Sequence, residues 1–192
     1  GTFTSLSAGN YTVTATDANG CTKSSVAIIT QQSSIVFNSV VITNVDCNGN
    51  STGAIQVTAS GGTGALQYQL IPGAVLNTTG VFNALQAGNY SITVSDVMGC
   101  TNSTSATISQ PALLQIASFN VVHPSCSTSN NGSISLSALG GTSAYNYSIN
   151  TSIFSPTSTF NNLMSGTYTL HIKDAHGCLK DTIVALVPLS NL

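Results

Sequence analysis

Apolar and polar residues alternate with a period of two along most of this chain. Between Tyr90 and Ser95 the apolar Tyr90, Ile92 and Val94 are separated by Ser91, Thr93 and Ser95, the pattern of a strand with one face buried. Ala54 to Ala59 alternates with Ile55 and Val57 on one side. Leu66, Tyr68 and Leu70 form a second row, matched later by Tyr145, Tyr147 and Ile149. Residues 35–45 make a β-rich run, 82–85 a shorter one and 101–108 a further strand. Clusters of turn formers separate these runs: Asp46 to Thr52, Gly61-Gly62-Thr63-Gly64, Pro72-Gly73, Ala87-Gly88-Asn89 and Asp96-Val97-Met98-Gly99. Six or seven short strands in such a span predict an all-β fold built as an immunoglobulin-like β-sandwich.

The pattern recurs. Phe3, Leu6, Gly9, Tyr11, Asp17, Gly20 and Cys21 return 79 residues later as Phe82, Leu85, Gly88, Tyr90, Asp96, Gly99 and Cys100. They return again as Phe160, Leu163, Gly166, Tyr168, Asp174, Gly177 and Cys178. The front of the unit occurs twice, with Cys47, Gly53, Ile55, Val57, Gly61, Gly62, Tyr68 and Leu70 matched by Cys126, Gly132, Ile134, Leu136, Gly140, Gly141, Tyr147 and Ile149. A period of 79 residues is that of a small domain in tandem rather than of a solenoid turn. The expected organisation is the back half of a repeat at 1–32, a complete repeat at 33–111 and another at 112–192. Half a sandwich leaves strands unpaired and an apolar face open, to be completed by upstream strands or by another molecule.

Composition sharpens this. Hydrophobic residues make up 42% of the chain and charged residues only 4%, against about 25% in typical domains. Glu, Arg and Trp are absent, so the surface is built from Ser, Thr, Asn, Gln and Gly. Three Lys provide no basic stripe for a phosphate backbone, which excludes nucleic acid as a partner. The longest apolar stretches, such as 184–189, fall far short of the ~20 residues of a membrane helix.

The turns Asp17 to Gly20, Asp96 to Gly99 and Asp174 to Gly177 share one design. Asp caps its own turn and Gly accepts a positive φ, which suits a type I turn with a Gly bulge. Tyr11, Tyr90 and Tyr168 stand where a sandwich places a corner tyrosine, with the ring buried and the hydroxyl bonded to nearby backbone.

The run Cys-x-Gly-x-x-x-Gly-x-Ile-x-Val, then Gly-Gly, Tyr-x-Tyr and Phe-x-x-Leu-x-Ala-Gly-x-Tyr-x-x-x-Val-x-Asp-x-x-Gly-Cys resembles the SprB repeat across essentially the whole chain. Departures are mild: Ser127-Thr128-Ser129 replaces the Asn48-Gly49 box, and Ser165 replaces an Ala. The resemblance implies a very large secreted cell-surface protein of the Bacteroidetes kind, exported by a type IX route. Adhesins are among such proteins. It names no ligand.

Each complete repeat owns two cysteines, Cys47 with Cys100 and Cys126 with Cys178, while Cys21 belongs to the half repeat and looks outside the segment for a partner. Bridges within repeats close loops of about 53 residues, each contributing roughly 4 kcal/mol in the chain-entropy picture. This is the favoured pairing. Against it, a seven-strand topology puts the first and last turns at opposite ends, beyond the ~7 Å limit on Cα separation. Cys47 would then meet Cys178 across the repeat junction.

Other chemistry is thin. His123, His171 and His176 are confined to the last repeat and do not converge with a Ser and an acid, so no catalytic group is expected. No cofactor is expected, and zinc lacks a Cys-x-x-Cys pair. Asp46-Cys47-Asn48-Gly49-Asn50 has oxygen ligands at alternate positions, making calcium a weak candidate, but no bidentate Glu follows. Asn77-Thr78-Thr79 and Asn102-Ser103-Thr104 are Asn-x-Ser/Thr triplets. Thr182, in Asp181-Thr182-Ile183, resembles an O-glycosylation site of Bacteroidetes proteins. Three functions fit: an extracellular stalk or spacer whose partners are the neighbouring repeats, a self-assembling filament, and, behind these, a module for surface glycans.

Overall fold

The computed structural model describes residues 1–151 and 153–189, and all the regular structure in them is β. Fifteen strands follow in order: β1 Gly9–Thr16, β2 Thr22–Ile29, β3 Val36–Thr43, β4 Gly53–Ser60, β5 Gln67–Ile71, β6 Val75–Asn77, β7 Val81–Leu85, β8 Gly88–Ser95, β9 Thr101–Ile108, β10 Gln115–Val122, β11 Gly132–Leu139, β12 Asn146–Ile149, β13 Thr159–Leu163, β14 Gly166–Lys173 and β15 Leu179–Leu186. Two compact units are distinguished: Gly1–Ser39 with Val57–Gly80 and Ile92–Thr104, and Val40–Gln56 with Val81–Ser91 and Ser105–Leu192.

The second unit contains a whole sandwich. One sheet has the order β10-β11-β13 and the other β12-β14-β15. The chain changes sheets between β11 and β12, again between β12 and β13, and again before β14, the exchange of an immunoglobulin-like Greek key. Strands β3 to β9 repeat the scheme, in sheets ordered β3-β4-β7 and β6-β5-β8-β9. The fold is therefore the all-β, immunoglobulin-like sandwich that the alternation predicts.

The core follows from that alternation. Leu170 and Ile172 on β14, Val184 and Leu186 on β15, Ile134 and Leu136 on β11, Tyr147 and Leu114 form one buried cluster. The intervening residues face out, so Ile183 is 70% exposed while its neighbour Val184 is buried. In the preceding repeat the equivalent Ile55, Val57, Ile92, Val94 and Ile108 are buried in the same way.

Strands β1 and β2 pair from Gly9↔Ile29 to Thr16↔Thr22. Their sequence has the same period, yet Val13 is 40% exposed where its counterpart Ile92 is wholly covered. Pro72-Gly73 ends β5 as expected, and the unforeseen strand β6 then folds back on β5 with Leu70 opposite Val75. The corner tyrosines are half-buried rather than buried, although their hydroxyls do donate to backbone carbonyls four residues back: Tyr11 to Ser7 at 2.8 Å, Tyr90 to Gln86 at 3.0 Å and Tyr168 to Met164 at 3.0 Å.

Candidate functional site

The Asp-x-x-Gly-Cys turn is the local device from which the site is built. In the β14–β15 turn Asp174 Oδ1 accepts the backbone N–H of His176 and of Cys178, both at 2.9 Å. The Asp174 N–H itself donates to the Cys178 carbonyl at 3.0 Å. Gly177 takes φ 85°, open to Gly at little cost. The remaining oxygen, Oδ2, accepts the N–H of Thr142 at 2.8 Å, tying the turn to the Gly140-Gly141 loop.

That loop in turn holds the segment leading into β10. Gly141 N–H donates to Ala112 O at 2.8 Å. Gly140, with φ 74°, lies so close to Leu113 that a Cβ would collide with its carbonyl oxygen. The double glycine is thus needed for a close approach of backbones. The preceding repeat builds the same support: Thr63 N–H to Asp96 Oδ2 at 2.8 Å, Gly62 N–H to Ser33 O at 2.9 Å, and Gly61 against the Ser34 carbonyl.

Onto the 110–114 and 174–180 surface comes the turn that precedes β4. Asn48 Nδ2 donates to Pro111 O at 2.9 Å, and Gly49 N–H donates to Gln110 Oε1 at 2.8 Å. His176 Nδ1 lies 3.2 Å from the Asp46 carbonyl oxygen, which accepts from it. Cys47 and Cys178 are joined in a disulfide, with Cα atoms 5.6 Å apart and a sequence separation of 131. A cleft of about 480 Å³ remains beside the bond, lined by Asn48, Asn50, Leu113 and Lys180 among others.

The favoured pairing within repeats is therefore not the one formed, and Cys21, Cys100 and Cys126 are thiols. The geometry of the last repeat gives the reason. Cys126 precedes β11 at the end where Val122 faces Ser133 and Gly132 faces Leu163. Cys178 lies with Thr142 and Ala112, beyond the other end of β11, where Gln115 faces Leu139. Eight strand residues at ~3.3 Å each separate these ends by roughly 25 Å, several times what a disulfide spans.

Electrostatics make the incoming turn self-contained. The Thr52 hydroxyl, at 2.7 Å from Asp46 Oδ1, is the main cause holding that carboxyl below its ordinary value of 3.8, with the Cys47 N–H and Asn50 amide adding to it against burial. A carboxylate so occupied by its own turn is poorly placed to serve a calcium ion. Among the described residues no three His, Cys, Asp or Glu side chains gather as a metal site. Burial alone would raise Asp96, but the N–H groups of Thr63, Cys100, Met98 and Gly99 outweigh it and hold the carboxyl low.

The histidines divide. His176 serves the junction just described. His171 Nδ1 lies 2.7 Å from Asp181 Oδ1 on the outer face of β14 and β15. The pair stands where Thr93 and Ser103 share a 3.0 Å hydrogen bond and Thr14 and Ser24 one of 2.7 Å, so it replaces a hydroxyl pair on an exposed face. His123 Nδ1 accepts the Val187 N–H at 3.2 Å. Thr182 lies half-buried on β15 opposite Leu170. The residues missed by sequence reasoning are Asn48 and Gly49, which dock on the Gln110-Pro111 joint between repeats. The recurrence of Gln31 as Gln110 was the available signal.

Comparison with known proteins gives one family match, the SprB repeat, at residues 39–75 and 118–153. No curated protein matches. Among solved structures, the N-terminal eight Ig domains of Down Syndrome Cell Adhesion Molecule are similar with TM-score 0.47 and 10% identity, over 94% of this chain and 28% of that one. The C-terminal 282-residue fragment of intimin, solved with the intimin-binding domain of the translocated intimin receptor, gives TM-score 0.45 and 13% identity over 80% and 64%. Sidekick-1 immunoglobulin domains 1–5 give 0.41 and 13% over 93% and 46%. The chain spans less than two thirds of the length of each of these.

Proposed function

We propose that this chain, which carries SprB repeats, is a structural and adhesive segment of a large secreted bacterial surface protein and works as a stalk or spacer. The building blocks are the half repeat 1–32 and the complete repeats 33–111 and 112–192, and the segment has no catalytic role. The observation that carries this reading is the Cys47–Cys178 bond with its two flanking hydrogen bonds. It joins one copy of the repeated sequence to the next by covalent and polar links. Disulfides persist in oxidising surroundings, which supports a place at the cell surface reached by secretion. No helix of the described residues is long and apolar enough to cross a membrane.

A second reading has its own support. Val13 on β1 is 40% exposed where its counterpart Ile92 is covered, and Phe3 is 67% exposed where its counterpart Phe82 is buried, leaving an apolar sheet face that a donated strand would cover. That reading makes the chain a segment of a self-assembling filament. Immunogold labelling and negative-stain imaging of producing cells separate the two. Isolated threads at the cell surface are expected for a stalk, and polymers with a fixed axial repeat would overturn it in favour of the filament. Label confined to the cell interior would overturn both.

A further inference from the structure

We propose that the Cys47–Cys178 bond is one rung of a ladder, in which the cysteine before β4 of each repeat bonds the Asp-x-x-Gly-Cys cysteine of the repeat that follows it. On this assignment Cys126 is the donor toward a following repeat and Cys100 the receiver from a preceding one. The inference rests on the tandem-array reading and adds to it the connectivity.

The receiving side is built in advance. The cleft beside Cys178 is lined by Ala112, Leu113, Leu114, Cys178, Leu179 and Lys180, together with the incoming Cys47 turn. One period earlier, Ser33, Ser34, Ile35, Cys100, Thr101 and Asn102 line a cleft of about 450 Å³ with no such turn seated in it. Gln31 stands where Gln110 accepts the N–H of Gly49. The same Asp turn and double glycine support both clefts. Cys100 is exposed there, its sulfur 3.9 Å from Gln32 Oε1.

The donating side is preformed too. Ser129 N–H donates to Cys126 O at 3.1 Å, as Asn50 N–H donates to Cys47 O at 3.0 Å, so the two turns share this closing hydrogen bond, while Gly49 takes φ 82° and its counterpart Thr128 stays out of the positive-φ region. The Cys126 sulfur lies 2.8 Å from the Ser129 hydroxyl. That contact first, and Thr128 second, holds its thiol below the usual range, which favours the attacking thiolate.

The electrons balance with a low-molecular-weight disulfide such as oxidised glutathione. The Cys126 thiolate attacks it, forming a mixed disulfide and releasing one glutathione thiolate. The receiving cysteine's thiolate then attacks the Cys126 sulfur and releases the second. Two protein thiols are oxidised, one small disulfide is reduced, and the two protons pass to the released thiolates.

The test extends the full chain after Leu192 with a second copy of residues 115–192, which keeps the repeat spacing and carries Cys126→Ser and Ala175→Ser so that its Cys178 peptide differs in mass, and refolds it in a glutathione buffer. Non-reducing peptide mapping is expected to give Cys47–Cys178 and Cys126 bonded to the Cys178 of the appended copy. Cys126 left alkylatable, or bonded within its own repeat, overturns the ladder. If Cys47–Cys178 is found without the second bond, the ladder fails while the array reading stands, since the latter is judged on cells. A second measurement needs no extension. An activated-disulfide peptide of residues 44–52 is expected to modify Cys100 of the unextended chain at least tenfold faster than Cys21, whose cleft is lined by the β1–β2 hairpin alone. Equal rates overturn the proposal even if the appended repeat fails to fold.

Discussion

Pulling the oxidised chain apart by its ends measures the connectivity directly. The Cys47–Cys178 bond removes a 131-residue loop from the path of the force. At up to ~3.6 Å per extended residue that loop amounts to on the order of 460 Å of hidden length, once the short span across the bond is subtracted. With handles at residues 1 and 192 in optical tweezers, full unfolding without reductant should stop short by about that amount. Adding reductant should release it in a single event, because one bond guards the whole loop. Bridges within repeats would behave differently, releasing two lengths of roughly 190 Å each from loops of about 53 residues. Two such steps, or equal extension with and without reductant, would refute the pairing and with it the proposed mechanical role.

Cys47→Ser should lower stability by about 5 kcal/mol in the chain-entropy picture for a 131-residue loop, read as a lower urea midpoint. Cys178→Ser should cost the same, and the double variant no more than either. Ile172→Ala, at a fully buried position on β14, should cost about 2–5 kcal/mol by urea unfolding, whereas Ile183→Ala, 70% exposed, should stay within about 0.5 kcal/mol. The carboxyls of Asp46 and Asp96 sit below 3.8 in the folded chain, so their contribution is fully present above that value and is lost as the pH falls through their folded values. Acid unfolding followed by circular dichroism should therefore begin below about pH 4. Asp96→Asn should weaken the fold at pH 7, since an amide N–H then faces the Thr63 N–H, and should flatten the acid limb.

Much of the architecture is legible in the residues because both faces of each strand are written in a period of two. Ile92, Val94 and the residues between them declare which side is covered before any neighbour is known. The Asp turn is legible for a similar reason, since Asp, Gly and Cys at fixed offsets form a closed local network. The cysteine pairing is not local. It depends on which end of an eight-residue strand each turn occupies, and on Asn48 and Gly49 finding Gln110 and Pro111 sixty residues away. Strand β6 escapes a sequence reading because three residues after a Pro-Gly carry too short a pattern. The tyrosine rings are less covered than expected because the hydroxyl needs only a carbonyl four residues back, which the surface supplies.

The bond between Cys47 and Cys178 also changes what a protease can do. A cut at any one peptide link between these residues leaves both fragments attached, through the sulfurs on one side and the intact backbone on the other. In a ladder of such bonds each span would exceed the 79-residue period, so successive spans would overlap and every link in the interior would lie under at least one of them. A thread made this way would tolerate scattered nicks without parting, because two cuts within a single span still leave its flanks joined through the sulfurs, and losing the outer end to so few cuts would also take reduction.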